Sequence, residues 1–301
     1  MVRFIFMKHK QKLMFKKNIT IIVQARLTSS RLPEKVLKKI SKKTIIEIIH
    51  QRLSRSKLNS QIVYAIPKNK NNFKLKNFLK NKKLNYFEGS EKNVLDRYYN
   101  CAKKYKSDII VRITADCPLI DPNMLDDCLK IFIKKKIDLL VNGSPPTFPD
   151  GLDIGIFNMK TLYQAWKNAR SKFEKEHVTP FMLKNKNIKK YNYSSKEDFS
   201  SERWTLDTEE DYVVIKNIFK RFKNLNFSWN DVLEIRRKYP EDFLANRYIN
   251  RNEGINSSAG QKLWRKAINI IPGGTMLFSK NPNLHLPNLW PTYYSKTSGS
   301  Y

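Results

Sequence analysis

The strongest constraint on the fold is a regular alternation of β-type and helix-type segments along the first half of the chain. Segments rich in β-branched residues predict strands at residues 19–23, 61–66, 84–87, 109–113 and 138–141. Apolar residues recur at helical spacing after Thr44 (Ile45, Ile46, Ile49 and Leu53), across 73–79, from Val94 to Tyr105 and after Pro122. Strands and helices that alternate with short connections predict an α/β fold with a parallel, helix-covered sheet and right-handed crossovers.

The alternation of strands and helices loosens after Gly151, and the composition of the sequence changes near residue 250. Helices are predicted at 161–170, 174–183 and 209–222, with a short strand near Trp204. We therefore predict one domain over residues 18–249, preceded by a basic extension, 1–17. A polar linker at 250–260 and a tail at 261–301, with a helix over 261–270, are predicted to follow it.

Charged residues and unpaired cysteines indicate the setting in which the chain works. Arg3, Lys8 and Lys10 interrupt any apolar run at the N-terminus, so neither a signal peptide nor a membrane span is predicted there. The cysteines, which form no CxxC pair and predict reduced thiols in a cytoplasmic protein, are Cys101, Cys117 and Cys128. The histidines, which show no zinc-binding spacing, are His9, His50, His177 and His285.

A formal net charge of +31 raises the question of nucleic-acid binding. Lysine is spread along the whole chain and outnumbers arginine, whereas nucleic-acid binders often concentrate charge on one face and read bases with arginine. Codon usage in an AT-rich genome produces the same composition without any function. We therefore predict no specific nucleic-acid partner, although the charge favours anionic substrates.

A basic, hydroxyl-rich loop follows the first predicted strand. Between Gln24 and Lys35 it carries Arg26, Thr28, Ser29, Ser30 and Arg31. Backbone amides, hydroxyls and arginine forks can surround the oxygens of a triphosphate, and Lys35 can add a point charge. The spacing of a Walker A loop is missing, and the alternative is a solvated basic loop without a ligand.

Two carboxylates are candidate metal ligands. Asp116 comes just after the fourth predicted strand, at the edge where such sheets bind ligands. Mg²⁺ prefers one or two carboxylates together with phosphate oxygens, and Asp207 is a possible second ligand. The alternative is that Asp207 or Thr208 caps the following helix, with Glu210 or Asp211 completing a capping box.

Several ordered motifs resemble those of the cytidylyltransferases that make CMP-activated sugars, most closely the spore coat polysaccharide biosynthesis protein F family. They span about residues 18–245 and read Gln24-Ala-Arg26, Ser30-Arg-Leu-Pro-Glu-Lys35, Gly89-Ser90, Asn93-Val-Leu-Asp-Arg-Tyr98, Arg112-Ile-Thr-Ala-Asp-Cys-Pro-Leu-Ile120, Phe148-Pro-Asp-Gly-Leu-Asp153, Glu176-His-Val-Thr-Pro180 and Arg203-Trp-Thr-Leu-Asp207. The resemblance implies a three-layer nucleotide-diphospho-sugar transferase fold, a GT-A-like Rossmann variant with a mostly parallel central sheet.

The resemblance also implies roles for individual residues. Arg26, Lys35 and Asp116 would be catalytic, and Asp116 and Asp207 would hold Mg²⁺. The expected nucleotide-binding residues are Gln24, Ala25, Arg26, Ser29, Ser30, Arg31 and Lys35. We predict in-line attack of a sugar hydroxyl on the α-phosphorus of CTP, with release of pyrophosphate for surface-polysaccharide synthesis. The candidate sugar contacts are Arg112, His177 and Arg203; His177 could instead be a structural residue at a helix end.

Two places depart from the family pattern. Gly155 stands where we expect an acid, which affects a sugar-side contact, and the Lys- and Asn-rich stretch 68–83 gives no recognisable base-recognition loop. The tail resembles the start of a class III aminotransferase of the glutamate-1-semialdehyde aminomutase type. The pyridoxal-phosphate lysine of that family would lie beyond Tyr301, so these residues alone cannot carry transamination.

Three other functions are alternatives that the sequence leaves open. A glycosyltransferase of the same fold would consume a nucleotide-sugar rather than make one. A non-catalytic module would deliver a sugar to the fused aminotransferase. A basic nucleic-acid-binding protein would need an arginine and aromatic stripe, which the sequence does not show. A homodimer is a further possibility.

Overall fold

A computed structural model of the protein describes residues 17–59, 61–249, 251, 267 and 270–271. The chain divides into two compact units, Met1–Asn246 and Arg247–Tyr301. All strands and helices given below belong to the first unit. The predicted extension 1–17 (apart from Lys17), the linker 250–260 (apart from Arg251) and the aminotransferase-like tail (apart from residues 267, 270 and 271) lie outside the described residues.

The centre of the first unit is a seven-stranded sheet with the order β5-β4-β1-β6-β8-β7-β9. The strands are β1 (Ile19–Gln24), β2 (Lys39–Ile40), β3 (Lys43–Thr44), β4 (Gln61–Pro67), β5 (Tyr86–Gly89), β6 (Ile109–Thr114), β7 (Leu139–Val141), β8 (Gly155–Asn158) and β9 (Lys190–Asn192). Strands β2 and β3 form a separate hairpin. Neighbours in the large sheet pair in parallel, except that β8 runs antiparallel to β6 and β7. The mostly parallel sheet and its five predicted strands are confirmed.

Helices cover the sheet between its strands. They are α1 (Ile45–Leu53), α2 (Phe73–Asn81), α3 (Val94–Lys104), α4 (Pro122–Lys135), α5 (Met159–Asn168), α6 (Lys172–His177), α7 (Pro180–Lys184), α8 (Glu209–Lys220) and α9 (Trp229–Lys238). The longest, α4, has 14 residues, and every helix in the described ranges is too short or too polar to cross a membrane. The single helix predicted over 174–183 is wrong, because Val178 has a φ of +68° and separates α6 from α7.

The two faces of the sheet are buried in two separate cores, which makes three layers. Strand β1 shows this directly, since Ile21 and Val23 belong to one core and Ile22 to the other. Helices α1, α2, α4, α8 and α9 contribute to the first core, and α3, α5 and α7 to the second. This arrangement confirms the predicted three-layer fold.

A buried arginine joins α1 to two distant segments. Arg52 is fully buried, and its guanidinium donates hydrogen bonds to the carbonyl oxygens of Leu119, Ile120, Leu225 and Phe227. Those carbonyls lie just before α4 and just before α9. The side chain therefore fixes where α4 begins, immediately after the loop that carries Asp116.

Candidate active site

The loops that follow β1 and β6 lie side by side because the two strands are parallel neighbours. Gln24 pairs with Thr114 at the carboxyl ends of the strands, and the amide of Ala115 donates to the carbonyl of Gln24 over 2.9 Å. The basic loop and the Asp116 loop thus leave the sheet at the same place, as expected for ligand-binding loops of such sheets.

Lys35 brings the two predicted constellations into direct contact. Its Nζ lies 2.8 Å from Oδ2 of Asp116 and 2.6 Å from Oδ1 of Asp207. The Lys35 side chain is 11% exposed, and the two carboxylates are 25% and 22% exposed. Residues far apart in the sequence therefore meet around one nitrogen. The sequence predicted that Lys35 binds a triphosphate, and it did not predict that Lys35 pairs with two carboxylates.

The charges of this cluster shift one another's pKa. Burial would lower the pKa of Lys35, but the charges of Asp116 and Asp207 outweigh burial and raise it. Burial would raise the pKa of Asp116, but the charge of Lys35 and hydrogen bonds from Lys35 and Thr114 lower it well below its usual range. At neutral pH the site therefore holds an ammonium ion and an ionised Asp116.

Backbone contacts fix the position of Asp116. Its carbonyl oxygen accepts hydrogen bonds from the amide of Leu206 (2.8 Å) and from Oγ1 of Thr205 (3.2 Å). Thr205 and Leu206 directly precede Asp207. The same contacts therefore hold the two acidic residues next to each other.

The basic loop is built around Asn72, which sequence reasoning missed. The amide of Leu27 donates to Oδ1 of Asn72 over 2.9 Å, and Asn72 is 1% exposed. Arg26 and Ser30 are exposed, and no ion pair among the described residues involves Arg26. Among the described residues, the loop therefore presents an exposed guanidinium without an ion-pair partner. A single asparagine in a Lys- and Asn-rich stretch gave no signal of this role.

The other predicted nucleotide-binding residues differ in what they contact. Arg31 donates to Oδ2 of Asp207 over 2.9 Å, and Oγ of Ser29 accepts from the amide of Leu32 within the loop. Ala25 is buried, and its amide donates to the carbonyl of Ala65. Oε1 of Gln24 is buried without a hydrogen-bond partner. Gln24 thus offers an unused acceptor at the end of β1.

The side chain of Asp207 does not cap helix α8. Thr208 is the N-cap residue: its side chain accepts from the amide of Asp211, and the Asp211 carboxylate accepts from the amide of Thr208. The alternative in which Asp207 is the cap is therefore wrong, and the one with Thr208 and Asp211 is confirmed. Asp207 remains available to Lys35 and Arg31.

Arg112 and His177, two of the predicted sugar contacts, lie near each other. Burial lowers the pKa of His177, and the charge of Arg112 lowers it further. Nε of Arg112 is buried without a hydrogen-bond partner, and Gly155 lies opposite Arg112 in the register of β6 and β8. Because Gly155 replaces the expected acid, it brings no carboxylate to Arg112.

The third predicted sugar contact, Arg203, lies in a buried network of acids. It is 6% exposed and forms ion pairs with Asp211 and Asp150.

The short strand predicted near Trp204 is wrong, because the segment forms only an isolated bridge between Asp150 and Arg203 within the described residues.

The turn that carries His177 has a strained backbone. Val178 has φ +68° and ψ −54°, and the amide of Thr179 donates to the carbonyl of His177 over 2.8 Å. These values describe the rare γ-turn with positive φ, which is unfavourable for a β-branched residue. The turn interrupts the helix and holds His177 at its end.

The Gly89-Ser90 motif and the Arg97 motif are parts of one arrangement. Arg97 is 1% exposed and donates to the carbonyl of Ser90 over 2.8 Å. A Cβ atom at Gly89 would lie 2.8 Å from Cγ of Arg97, so a side chain there would displace the arginine. Burial, with the nearby charge of Arg26, lowers the pKa of Arg97 to about 10. Glycine is therefore required where β5 meets helix α3.

The carboxylate pair has the chemistry of a magnesium site. Asp116 and Asp207 both lie within hydrogen-bond distance of one nitrogen, so a single cation can contact both. Mg²⁺ commonly uses one or two carboxylates and takes its other ligands from water and phosphates. No group of three or more His, Cys, Asp or Glu side chains suited to a metal occurs among the described residues.

Comparison with known proteins identifies the family of the chain. The cytidylyltransferase family model matches residues 20–239. The chain is 34% identical over 248 residues to an uncharacterized protein of Methanocaldococcus jannaschii, covering 81% of this chain and 97% of that protein. It is 28% identical over 216 residues to the spore coat polysaccharide biosynthesis protein SpsF of Bacillus subtilis, covering 68% of this chain and 87% of that one.

Solved structures support the same assignment. A cytidylyltransferase from Leptospira borgpetersenii serovar Hardjo-bovis is similar with a TM-score of 0.73 and 33% identity, over 75% of this chain and 97% of that one. A CMP:2-keto-3-deoxy-manno-octonic acid synthetase complexed with CTP shares the fold, with a TM-score of 0.52 and 15% identity, over 68% of this chain and 99% of that one. The chain is thus a nucleotidyltransferase with a nucleotide-diphospho-sugar transferase fold, and it belongs to the cytidylyltransferase family.

Proposed function

We propose that this enzyme transfers the CMP group of CTP to a sugar hydroxyl with the help of Mg²⁺ and releases pyrophosphate, for synthesis of a surface polysaccharide or glycan. The observation that carries the proposal is the meeting of Lys35, Asp116 and Asp207 beside a basic loop with a free arginine. A triphosphate needs such a loop, and its metal needs such a carboxylate pair. The reaction would take place in the cytoplasm, where CTP is available and thiols such as the three free cysteines stay reduced.

The bond changes assign a task to each group. The sugar hydroxyl oxygen forms a bond to the α-phosphorus, the bond from that phosphorus to the oxygen leading to the β-phosphorus breaks, and the hydroxyl proton is released. Arg26, Arg31 and Lys35 would stabilise negative charge on the departing pyrophosphate. Held by Asp116 and Asp207, Mg²⁺ would supply further neutralisation of phosphate charge. Positioning and electrostatics therefore carry the catalysis.

The remaining candidates divide between the two substrates. Gln24, Ala25, Ser29 and Ser30 would contact the nucleotide, with the unused oxygen of Gln24 as an acceptor for it. Arg112 and His177 would contact the sugar, since the buried Nε of Arg112 lacks a partner. A screen of the four ribonucleoside triphosphates against candidate sugars, with pyrophosphate as the readout, tests the proposal. No pyrophosphate with any pair, but turnover of a preformed nucleotide-sugar, would favour the glycosyltransferase alternative.

Arg26→Ala is expected to weaken CTP binding by about ten- to a hundredfold. A charge-assisted hydrogen bond contributes roughly 1.5–3 kcal/mol, and no described carboxylate competes for this guanidinium. Isothermal titration calorimetry with CTP measures the effect. Lys42→Ala removes the same charge from an exposed site in the turn of the β2–β3 hairpin and should bind CTP like the wild type. Equal affinities for wild type and Arg26→Ala would remove Arg26 from the nucleotide site.

Arg112→Gln is expected to raise the KM for the sugar about tenfold while the KM for CTP stays within about twofold. The glutamine keeps a polar end but loses the charge, and a hydrogen bond to a charged group contributes roughly 1.5–3 kcal/mol. Steady-state kinetics with each substrate varied in turn separates the two effects. A raised KM for CTP with an unchanged KM for the sugar would place Arg112 on the nucleotide side.

A further inference from the structure

Arg203 lies at the centre of a buried network that ends on Asp207. Its Nε and one terminal nitrogen donate to the two oxygens of Asp211 over 2.8 and 2.9 Å, and its other terminal nitrogen donates to Asp150 over 2.9 Å. The carboxylate of Asp207 is 3.7 Å away. The Arg203 side chain is 5% exposed, and that of Asp211 is fully buried. The guanidinium fork is therefore already engaged by the protein.

The Asp211 carboxylate connects Arg203 to the backbone of Asp207. Its Oδ2 accepts a hydrogen bond from the amide of Asp207 (2.9 Å) and another from the amide of Thr208 (3.0 Å). Arg203 holds that carboxylate in a two-point contact, which only an arginine fork can make. Fixing the carboxylate thus fixes the start of helix α8 and the residue before it.

The Asp150 turn packs against the same segment from the other side. The amide of Trp204 donates to the carbonyl of Asp150 over 2.7 Å. Gly151 has a φ of +104°, and a Cβ there would lie 2.6 Å from the backbone of Trp204 and Thr205. The segment between Arg203 and Asp207 is therefore held closely between this turn and the backbone of Asp116.

We infer that Arg203 is a positioning residue that sets the Asp207 carboxylate toward Lys35 and Asp116, rather than a contact to the sugar. Asn246 completes the network, because its amide donates to the Arg203 carbonyl and to Oδ1 of Asp211. The inference rests on the metal role proposed for Asp207. It adds that three segments, around Asp150, Arg203 and Asp211, serve the placement of one carboxylate.

The test measures binding of Mn²⁺, in place of Mg²⁺, to the full chain with α,β-methylene CTP by electron paramagnetic resonance. Arg203→Lys keeps the charge but loses the fork, and we expect it to raise the Kd for Mn²⁺ about tenfold, a common consequence of losing a residue that orients a metal ligand. Binding of the nucleotide analogue in EDTA should change less than about twofold. Asp211→Asn should raise the Kd for Mn²⁺ in the same direction, and it serves if Arg203→Lys does not fold.

Two comparison variants make the outcomes distinct. Arg221→Lys also loses an arginine contact with an aspartate, Asp242, but at the opposite end of helix α8 from Asp207, so it should leave the Kd for Mn²⁺ unchanged. Asp207→Asn should weaken Mn²⁺ binding directly. If Asp207→Asn weakens it and the folded Arg203→Lys and Asp211→Asn proteins do not, the positioning role is overturned and the proposed function stands. If Asp207→Asn leaves Mn²⁺ binding unchanged, the metal site itself is overturned, and the role of Arg203 with it.

Discussion

Replacing Asp116 by Asn is expected to lower the rate of CTP-dependent pyrophosphate release by at least about a hundredfold. The substitution keeps the shape of the side chain but removes a charge that contacts Lys35 at 2.8 Å and that we propose binds Mg²⁺. A loss of 2.7 kcal/mol of transition-state stabilisation corresponds to roughly a hundredfold in rate, and a bound metal supplies several kcal/mol. Pyrophosphate release measured against Mg²⁺ concentration gives both the rate and the metal dependence.

The fold should tolerate the Asp116 substitution, because Lys35 keeps its contact with Asp207. Since Lys35 lowers the pKa of Asp116, the ionised carboxylate stabilises the folded protein above the unfolded-state pKa, and this stabilisation disappears as the pH falls through the lower folded-state pKa. The difference in unfolding free energy between wild type and variant should therefore shrink in acid.

A nearby acid provides the matched control for Asp116→Asn. Asp121 caps helix α4 by accepting hydrogen bonds from the amides of Asn123 and Met124, and its other oxygen accepts from the amide of Trp229. Asparagine caps a helix about as well as aspartate, so Asp121→Asn should lose some stability and little rate. An Asp116→Asn enzyme with wild-type rate and metal dependence would contradict the site.

The sequence predicted those elements whose signal is local. Five β-rich segments became strands of the large sheet, and Thr44 does cap its helix, with Glu47 completing a capping box. Strands β8 and β9 lie after Gly151, where the alternation of strands and helices loosens, and β8 joins the sheet in the opposite direction. The break at Val178 rests on a positive φ in a valine, which no propensity would predict.

The candidate site was predictable in its parts but not in its contacts. Asp116 and the basic loop follow neighbouring parallel strands, so their proximity follows from topology. The distant Asp207 joins them through hydrogen bonds that Thr205 and Leu206 donate to the Asp116 carbonyl, and Asn72 contacts Leu27 from the 3-10 helix before α2. Such tertiary contacts produce no periodic pattern in the sequence. The role of Arg203 was unpredictable for a similar reason, because an arginine within a motif has the same sequence signal whether it binds a ligand or a buried carboxylate.

Lys35→Met is expected to lower the rate of pyrophosphate release at least about a hundredfold and also to destabilise the free protein. The methionine fills a similar volume but removes the positive charge that bridges Asp116 and Asp207. We propose that this same charge binds the triphosphate. Asp116 would then keep no ion-pair partner among the described residues and would face the Asp207 carboxylate, whereas Asp207 keeps Arg31. Leaving a partly buried charged group uncompensated costs roughly 1–3 kcal/mol or more, so the free energy of unfolding should fall by about that amount at pH 7. Urea denaturation and the pyrophosphate assay measure the two effects.

The pH dependence of stability should reverse in the Lys35→Met variant. In the wild type, the lowered pKa of Asp116 means that its stabilising effect is lost as the pH falls. Without Lys35, burial and the neighbouring Asp207 charge should raise the pKa of Asp116 above its unfolded value, so protonation would stabilise the fold and the free energy of unfolding would rise as the pH is lowered. Lys38→Met is the matched control, because Lys38 pairs with Glu209, whose side chain is mostly exposed, and it should change neither rate nor pH profile appreciably. A Lys35→Met protein with the wild-type pH profile of stability would show that the ammonium does not hold the two carboxylates together.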